Sequence, residues 1–176
     1  LGADVIKVEP PAGDDTRGWG PPFRDGLSAY FACCNRNKRS IALDLRLPTS
    51  RPVIEALIRQ SDILIENYRT GGAASLGVDY ASAKKLNPKI IYCSISGFGR
   101  TGPGADKPGY DFAIQAEAGL MSITGPIDDI PYRTGTAITD IASGQNATTA
   151  ILAALIHRMK TGEGQALEIS LFETQL

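Results

Sequence analysis

Short runs rich in β-branched residues alternate along this chain with stretches of helical periodicity, and this alternation restricts the fold more than any other feature. Residues 4–9 (DVIKVE) read as a strand ended by Pro10 and Pro11. Residues 41–45 (IALDL) alternate and predict a second strand. Residues 49–60 (TSRPVIEALIRQ) set Val53, Leu57 and Ile58 on one side with Ile54 beside them, which is amphipathic-helix spacing. Thr49 or Ser50 is suited to cap that helix, and Pro52 fits its first turn. Residues 62–65 (DILI), 89–95 (KIIYCSI) and 166–172 (ALEISLF) supply further strands, with a short polar helix expected over 79–86. Strand–helix–strand units repeated in this way predict an α/β fold, a Rossmann-like parallel sheet with flanking helices and right-handed crossovers.

Ligands of such sheets sit beyond the carboxyl ends of the strands. Two loops occupy that position, ENYRTGG (66–72) and SGFGRTGPG (96–104), so Asn67, Tyr68 and Arg69 are placed to meet a ligand. Gly97, Gly99 and Gly102 match a G-x-G-x-x-G spacing after a strand. A dinucleotide site needs a helix to open there and present its N-terminus to pyrophosphate. Pro103, Gly104 and Pro108 forbid that helix, so a glycine loop over a bound ligand is the better reading. A long Gly-, Pro- and charge-rich stretch over 12–26 is expected to be an ordered loop, because Trp19 and Phe23 give it something to pack with. Arg36, Lys38 and Arg39 form a basic cluster that is either a solvated turn or a phosphate contact.

Charge and cysteine usage exclude several classes. Eighteen basic and 19 acidic residues give a net charge of −1, with no footprint for nucleic acid or an anionic membrane. No apolar run approaches the roughly 18–20 residues that cross a bilayer. Cys33, Cys34 and Cys93 follow no disulfide framework, which favours a reducing compartment. With a single histidine, His157, late in a helix, there is no Cys/His cluster for zinc, and no metal site is expected.

Residues 133–159 (RTGTAITDIASGQNATTAILAALIHRM) carry the sharpest candidate. An extended stretch is expected to 139, then a long helix opening at Asp140, rich in Ala, Gly, Ser and Thr. An aspartate so placed caps free backbone N–H groups and faces the positive end of the helix dipole. The same position suits a nucleophile, and composition leaves the two roles open. A further helix is expected over 112–121, opened by Gly109, Tyr110 and Asp111, with a turn over 125–131.

GADVIKVEPP, NRNKRSIALDL, ENYRTGG, IIYCSISGFGRTGP, PGYD and TDIASG, in this order and spacing, resemble the class III CoA-transferase family, which also includes α-methylacyl-CoA racemase. The likeness runs over essentially all 176 residues, and the combined pattern is specific although each motif alone is weak. It is strongest to the branch handling dicarboxylic acyl groups such as succinyl and glutaryl, carried by GDDTRGWGPPF, IIYCSISGFGRTGP and the TGP at 124–126. The resemblance implies that residues 1–176 form part of the large domain of an interlocked-dimer fold, without its N-terminal start and C-terminal half. It also implies that Asp140 is the catalytic residue. By the same resemblance, coenzyme A meets Leu43, Asp44, Leu45 and Arg46, then Asn67, Tyr68 and Arg69, then Pro108, Gly109, Tyr110 and Asp111. Two basic contacts familiar in the family are absent, with Pro10 and Ser75 at their positions, and Lys38, Arg39 or Lys107 are candidates to replace them.

The implied activity is transfer of CoA between carboxylic acids through an aspartyl mixed anhydride and an aspartyl–CoA thioester. Acyl-CoA and a free acid are the substrates, no cofactor is permanently bound, and the whole protein is a homodimer. The racemase branch has a histidine where this chain has Tyr110, and a phenol is a poor base near neutral pH. Racemization and non-catalytic CoA binding stand as the alternatives. Arg133, shortly before Asp140, is a candidate partner for a substrate carboxylate or a plain surface residue.

Overall fold

The computed structural model describes residues 2–127 and 129–176; Asp128, in the turn expected over 125–131, lies outside the described residues. The chain divides into two compact units, Leu1–Ile54 and Glu55–Leu176. The parallel strands fall into two sheets, one within each unit.

In the first unit β1 (Ile6–Glu9) pairs in parallel with a strand that a hairpin and a helix separate from it: β2 (Phe23–Arg24), β3 (Leu27–Ser28), α1 (Ala29–Asn35) and β4 (Arg39–Ala42). The strand expected over 41–45 therefore begins and ends earlier. The Arg39 N–H donates to Val5 O at 2.9 Å, which starts the pairing two residues sooner. Asp44 ends it by accepting the Arg46 N–H at 3.0 Å and so folding the chain into a turn. The loop after β1 carries a 3₁₀ turn (Asp15–Gly18) and the β2–β3 hairpin, while Trp19 and Phe23 stay half exposed. Glu9, buried at the end of β1, accepts two bonds from Arg17 (2.8 and 3.0 Å), one from Ser40 Oγ (2.6 Å) and one from the Asp14 N–H (2.9 Å). Arg17 in turn lies 4.1 Å over the Phe31 ring, and Trp19 packs on Tyr30.

The second unit holds the larger sheet, in the order β5 (Ile63–Glu66), β6 (Ile91–Ser96), β7 (Ala166–Ser170), all parallel. Helix α2 (Arg51–Gln60) leads into β5 after a 3₁₀ turn at Pro48–Ser50. Asn87 holds its end, donating to Ile58 O and Ser61 O at 3.3 and 2.8 Å. A single turn α3 (Gly72–Ser75) and α4 (Tyr80–Leu86), capped by Asp79, cross from β5 to β6. The connection from β6 to β7 runs through α5 (Asp111–Glu117) and α6 (Ile138–Thr161). Helix α5 is shorter than expected because Gly119 adopts a left-handed conformation (φ +88°), which most side chains avoid, and a 3₁₀ turn (Leu120–Ile123) follows.

Helix α6 lies on one face of the sheet. Its buried residues Thr139, Ser143, Ala147, Ile151 and Ala154 recur every three or four positions and form one stripe. Ala147, Ile151 and Ala154 share a core with Ile91 and Cys93 of β6, and the small members of the stripe let the helix come close. Arg158 fastens the far end, donating to Asp62 Oδ1 (2.8 Å), Asp62 O and Lys89 O (both 3.2 Å). Two expectations change here. Residues 133–137 form no strand, and the helix starts at Ile138, so Asp140 is its third residue rather than its cap. The last strand stops at Ser170, whose hydroxyl accepts the Glu173 N–H and opens α7 (Leu171–Gln175) where continued strand was expected.

Candidate functional site

All three strands of the larger sheet point their carboxyl ends at one cleft, with room for about 160 Å³. Asn67, Tyr68, Arg69 and Thr70 follow β5, Ile95, Ser96 and Gly97 end β6, and Leu171 follows β7. Arg100, Ala105, Asp106, Lys107, Pro108, Gly109 and Asp140 complete the walls.

The glycine loop is closed at its neck by backbone against backbone. A Cβ on Gly97 would lie 2.4 Å from Gly109 Cα, so both positions exclude any side chain. The Phe172 N–H donates to Gly97 O at 2.9 Å and ties the neck to α7. Thr70 Oγ1 donates to Ala105 O at 2.7 Å and joins this loop to the one after β5. The expectation that no helix opens after Gly97 holds: residues 97–107 are turns and bends.

Asp140 is exposed at the cleft, and its backbone N–H donates to Asp111 Oδ2 at 3.0 Å. Asp111 is buried; its other carboxylate oxygen accepts from Gln115 Nε2, and Gln115 Oε1 accepts the N–H and hydroxyl of Thr134 at 3.0 and 3.2 Å. This chain of bonds sets the first turn of α6 on α5. Among the described residues no donor reaches the Asp140 carboxylate. Neighbouring protein withdraws water from it and the Asp111 charge repels it, and in that order they raise its pKa above the ordinary aspartate value. The helix dipole at this position favours the anion and opposes that shift.

The structure brings Asn67, Tyr68, Arg69, Pro108, Gly109 and Asp140 to one cleft. Asn67 and Arg69 are exposed there, and among the described residues their side chains carry no hydrogen bond. Tyr110 is 71% exposed and stands outside the lining, while Asp111 is buried with both carboxylate oxygens engaged. Leu43, Asp44, Leu45 and Arg46 belong to the first unit, in the turn after β4. There Arg46 grips Asp44 with two bonds of 2.8 Å and holds its carboxyl down to about 2. Of the substitute cations, Lys107 lines the cleft beside Glu117 (3.1 Å), Arg39 pairs with Asp4, and Lys38 bonds Asn35. Arg133 lies 4.1 Å over the Phe112 ring and does not line the cleft. His157 is exposed, in α6.

Sequence reasoning passed over Arg100. It lines the cleft, and its guanidinium reaches Glu66 Oε1 (3.0 Å), Ser94 Oγ (2.6 and 2.9 Å) and Tyr68 O. The available signal was a lone cation inside a glycine loop together with an acid ending β5. The negative charge of Glu66 is felt nearby: burial first and Glu66 second raise the Tyr68 phenol and push the Cys93 thiol up to about 11. Among the described residues no group of three or more His, Cys, Asp or Glu side chains is placed to hold a metal ion, and no helix is long and apolar enough to cross a membrane.

Parallel strands ending at a cleft, a glycine loop across it and a partly desolvated carboxylate at a helix start define an α/β protein with a built ligand site. Comparison with known proteins narrows this. The model of CoA-transferase family III matches residues 1–176, and the chain belongs to that family. It is 50% identical over 182 residues to a succinate–glutarate CoA-transferase of Agrobacterium fabrum, covering 99% of this chain and 46% of that protein. It is 47% identical over 177 residues to a succinyl-CoA:glutarate CoA-transferase of Mus musculus, covering 100% and 41%. The crystal structure of a CAIB/BAIF family protein from Brucella suis superposes with a TM-score of 0.96 at 50% identity, covering 99% of this chain and 47% of that one. The chain thus spans less than half the length of these relatives.

Proposed function

We propose that this chain is part of the large domain of an acyl-CoA:carboxylate CoA-transferase in which Asp140 is the nucleophile. The observation that carries the proposal is the cleft itself: Asp140 shares it with the unengaged side chains of Asn67 and Arg69. Family membership and the names of the relatives support a dicarboxylic acyl group, succinyl passing its CoA to glutarate or a similar acid. Coenzyme A is substrate on this reading, held by Asn67, Tyr68, Arg69, Pro108 and Gly109.

The chemistry starts from the carboxylate. An oxygen of Asp140 attacks the thioester carbonyl, the C–S bond breaks, and CoA leaves as thiolate with a mixed anhydride behind it. The thiolate attacks the aspartyl carbonyl, releasing the donor acid and leaving an aspartyl–CoA thioester. The acceptor carboxylate attacks that carbonyl, giving a second anhydride and thiolate. The thiolate then takes the acceptor acyl group and restores Asp140. An anion disfavoured by desolvation and by Asp111 is relieved of both burdens once it becomes a neutral acyl derivative. The ionised form is the reactive one, so the rate falls as pH drops through a pKa raised above the ordinary aspartate value.

The homodimer implied by the resemblance is proposed for the whole protein. A panel of carboxylic acids offered with succinyl-CoA to the full-length protein tests the activity. New acyl-CoA should form with a dicarboxylate acceptor and disappear in Asp140→Asn. Deuterium wash-in at the α-carbon of a 2-methylacyl-CoA, without acyl exchange, would replace transfer by racemization.

A further inference from the structure

The two peptide groups that flank Tyr68 are each gripped by one member of an ion pair. The Tyr68 N–H donates to Glu66 Oε2 at 2.8 Å, and its carbonyl accepts from Arg100, whose guanidinium also bonds Glu66 Oε1 at 3.0 Å. The two side chains are nearly out of solvent, 5% exposed for Glu66 and 19% for Arg100. Arg100 is held in turn by Ser94 Oγ, the register partner of Glu66, and its own backbone N–H donates to Glu168, the partner of Ser94 on β7. One residue of the glycine loop therefore bonds all three strands and the first loop of the cleft wall.

We infer that Arg100 is a positioning residue: with Glu66 it clamps the Tyr68 backbone and fixes the wall formed by Asn67, Tyr68 and Arg69. A guanidinium suits the task because its planar fork meets a carboxylate, a hydroxyl and a carbonyl at once, whereas an ammonium is a point donor. Removing the cation leaves Glu66 buried without a counter-charge. The consequence for coenzyme A rests on the reading of the cleft proposed above; the clamp itself does not.

The test uses the full-length protein as wild type, Arg100→Gln, Arg100→Lys and the double variant Glu66→Gln/Arg100→Gln, with two readouts. Amide hydrogen exchange of residues 67–70 needs no ligand, and calorimetric titration with CoA reads affinity. In Arg100→Gln, exchange over 67–70 should quicken by about tenfold or more while the slow amides of β6 and α6 keep their protection. CoA affinity should fall by about tenfold. Arg100→Lys should show both effects in weaker form and serves as the readout where Arg100→Gln does not fold. The neutral double variant leaves no buried charge unpaired but lacks both jaws of the clamp, so it should still exchange about tenfold faster than wild type over 67–70 and bind CoA about tenfold more weakly. Wild-type exchange at 67–70 in Arg100→Lys and Arg100→Gln, or a double variant back at wild-type exchange, overturns the clamp. If the wild type itself does not bind CoA, the functional reading fails and exchange alone judges Arg100.

Discussion

Asp140 stands at the cleft with no donor on its carboxylate among the described residues, and desolvation together with Asp111 raises its pKa. A raised folded-state pKa means that the protonated form stabilises the fold. That contribution is fully present below the ordinary aspartate pKa and is lost as pH rises through the raised one. At neutral pH the anion is thus a burden on the fold. Asp140→Asn is expected to raise the melting temperature at pH 7 while abolishing transfer. Thermal denaturation of the two proteins checks this, and an unchanged or lower midpoint contradicts it. The positions of Asp140, Asn67 and Arg69 were legible in sequence because each follows a local signal, a helix start or a strand end. Arg100 was not, because its meaning lies in Glu66, Ser94 and Glu168, which come from three strands far apart in the chain.

The elements themselves were largely readable, and their ends were not. Alternation located β1, β4, β5, β6 and β7, but pairing decided where each stops. Arg39 joins β4 because Val5 offers a carbonyl, and Leu171 leaves β7 because Ser170 caps a helix. Nor does alternation say which strand neighbours which, so the division into two parallel sheets emerges only from the register. The start of α6 at Ile138 was hidden because its cap position, Ala137, carries no capping side chain. Two substitutions probe how the elements meet. Ile151→Ala removes a core contact between α6 and β6 and should lower unfolding free energy by about 2–4 kcal/mol in urea titration. Gly109→Ala places a methyl 2.1 Å from Gly97 Cα, backbone that cannot step aside freely. It should cost about 1–3 kcal/mol and make the loop over 97–109 a site of proteolytic cutting; an uncut loop at wild-type stability would mean the neck is not closed.

At the scale of the whole chain, charge is arranged to resist mild acid. Arg17 hydrogen bonding holds Glu9 down to about 2 against burial; Asp14 reaches about 2 because its bonds to Lys7 and Thr16 outweigh burial; Asp44 reaches about 2 through Arg46. Depressed carboxylates contribute stability that is complete above their unfolded pKa values and is lost as pH falls through the folded ones. Apart from a gain as Asp140 takes up its proton, melting temperature should therefore hold steady from neutral pH to about 4.5 and fall between about 4 and 2, with Arg17→Met moving the fall to higher pH. A second expectation concerns surface. Ile123, Ile127, Ile130 and Met159 are 82%, 92%, 68% and 85% exposed in these 176 residues. The 176 residues expressed alone are expected to associate through these side chains, as light scattering would read.

The central claim is that CoA transfer passes through a covalent bond to Asp140, and trapping that bond tests it directly. The full-length protein is incubated with succinyl-CoA, treated with hydroxylamine or borohydride, digested and mapped by mass spectrometry. Covalent transfer predicts a modified Asp140 in the peptide spanning the start of α6, formed only with acyl-CoA present and absent from Asp140→Asn. Active enzyme that never carries the modification at Asp140, or carries it on another residue, contradicts that claim.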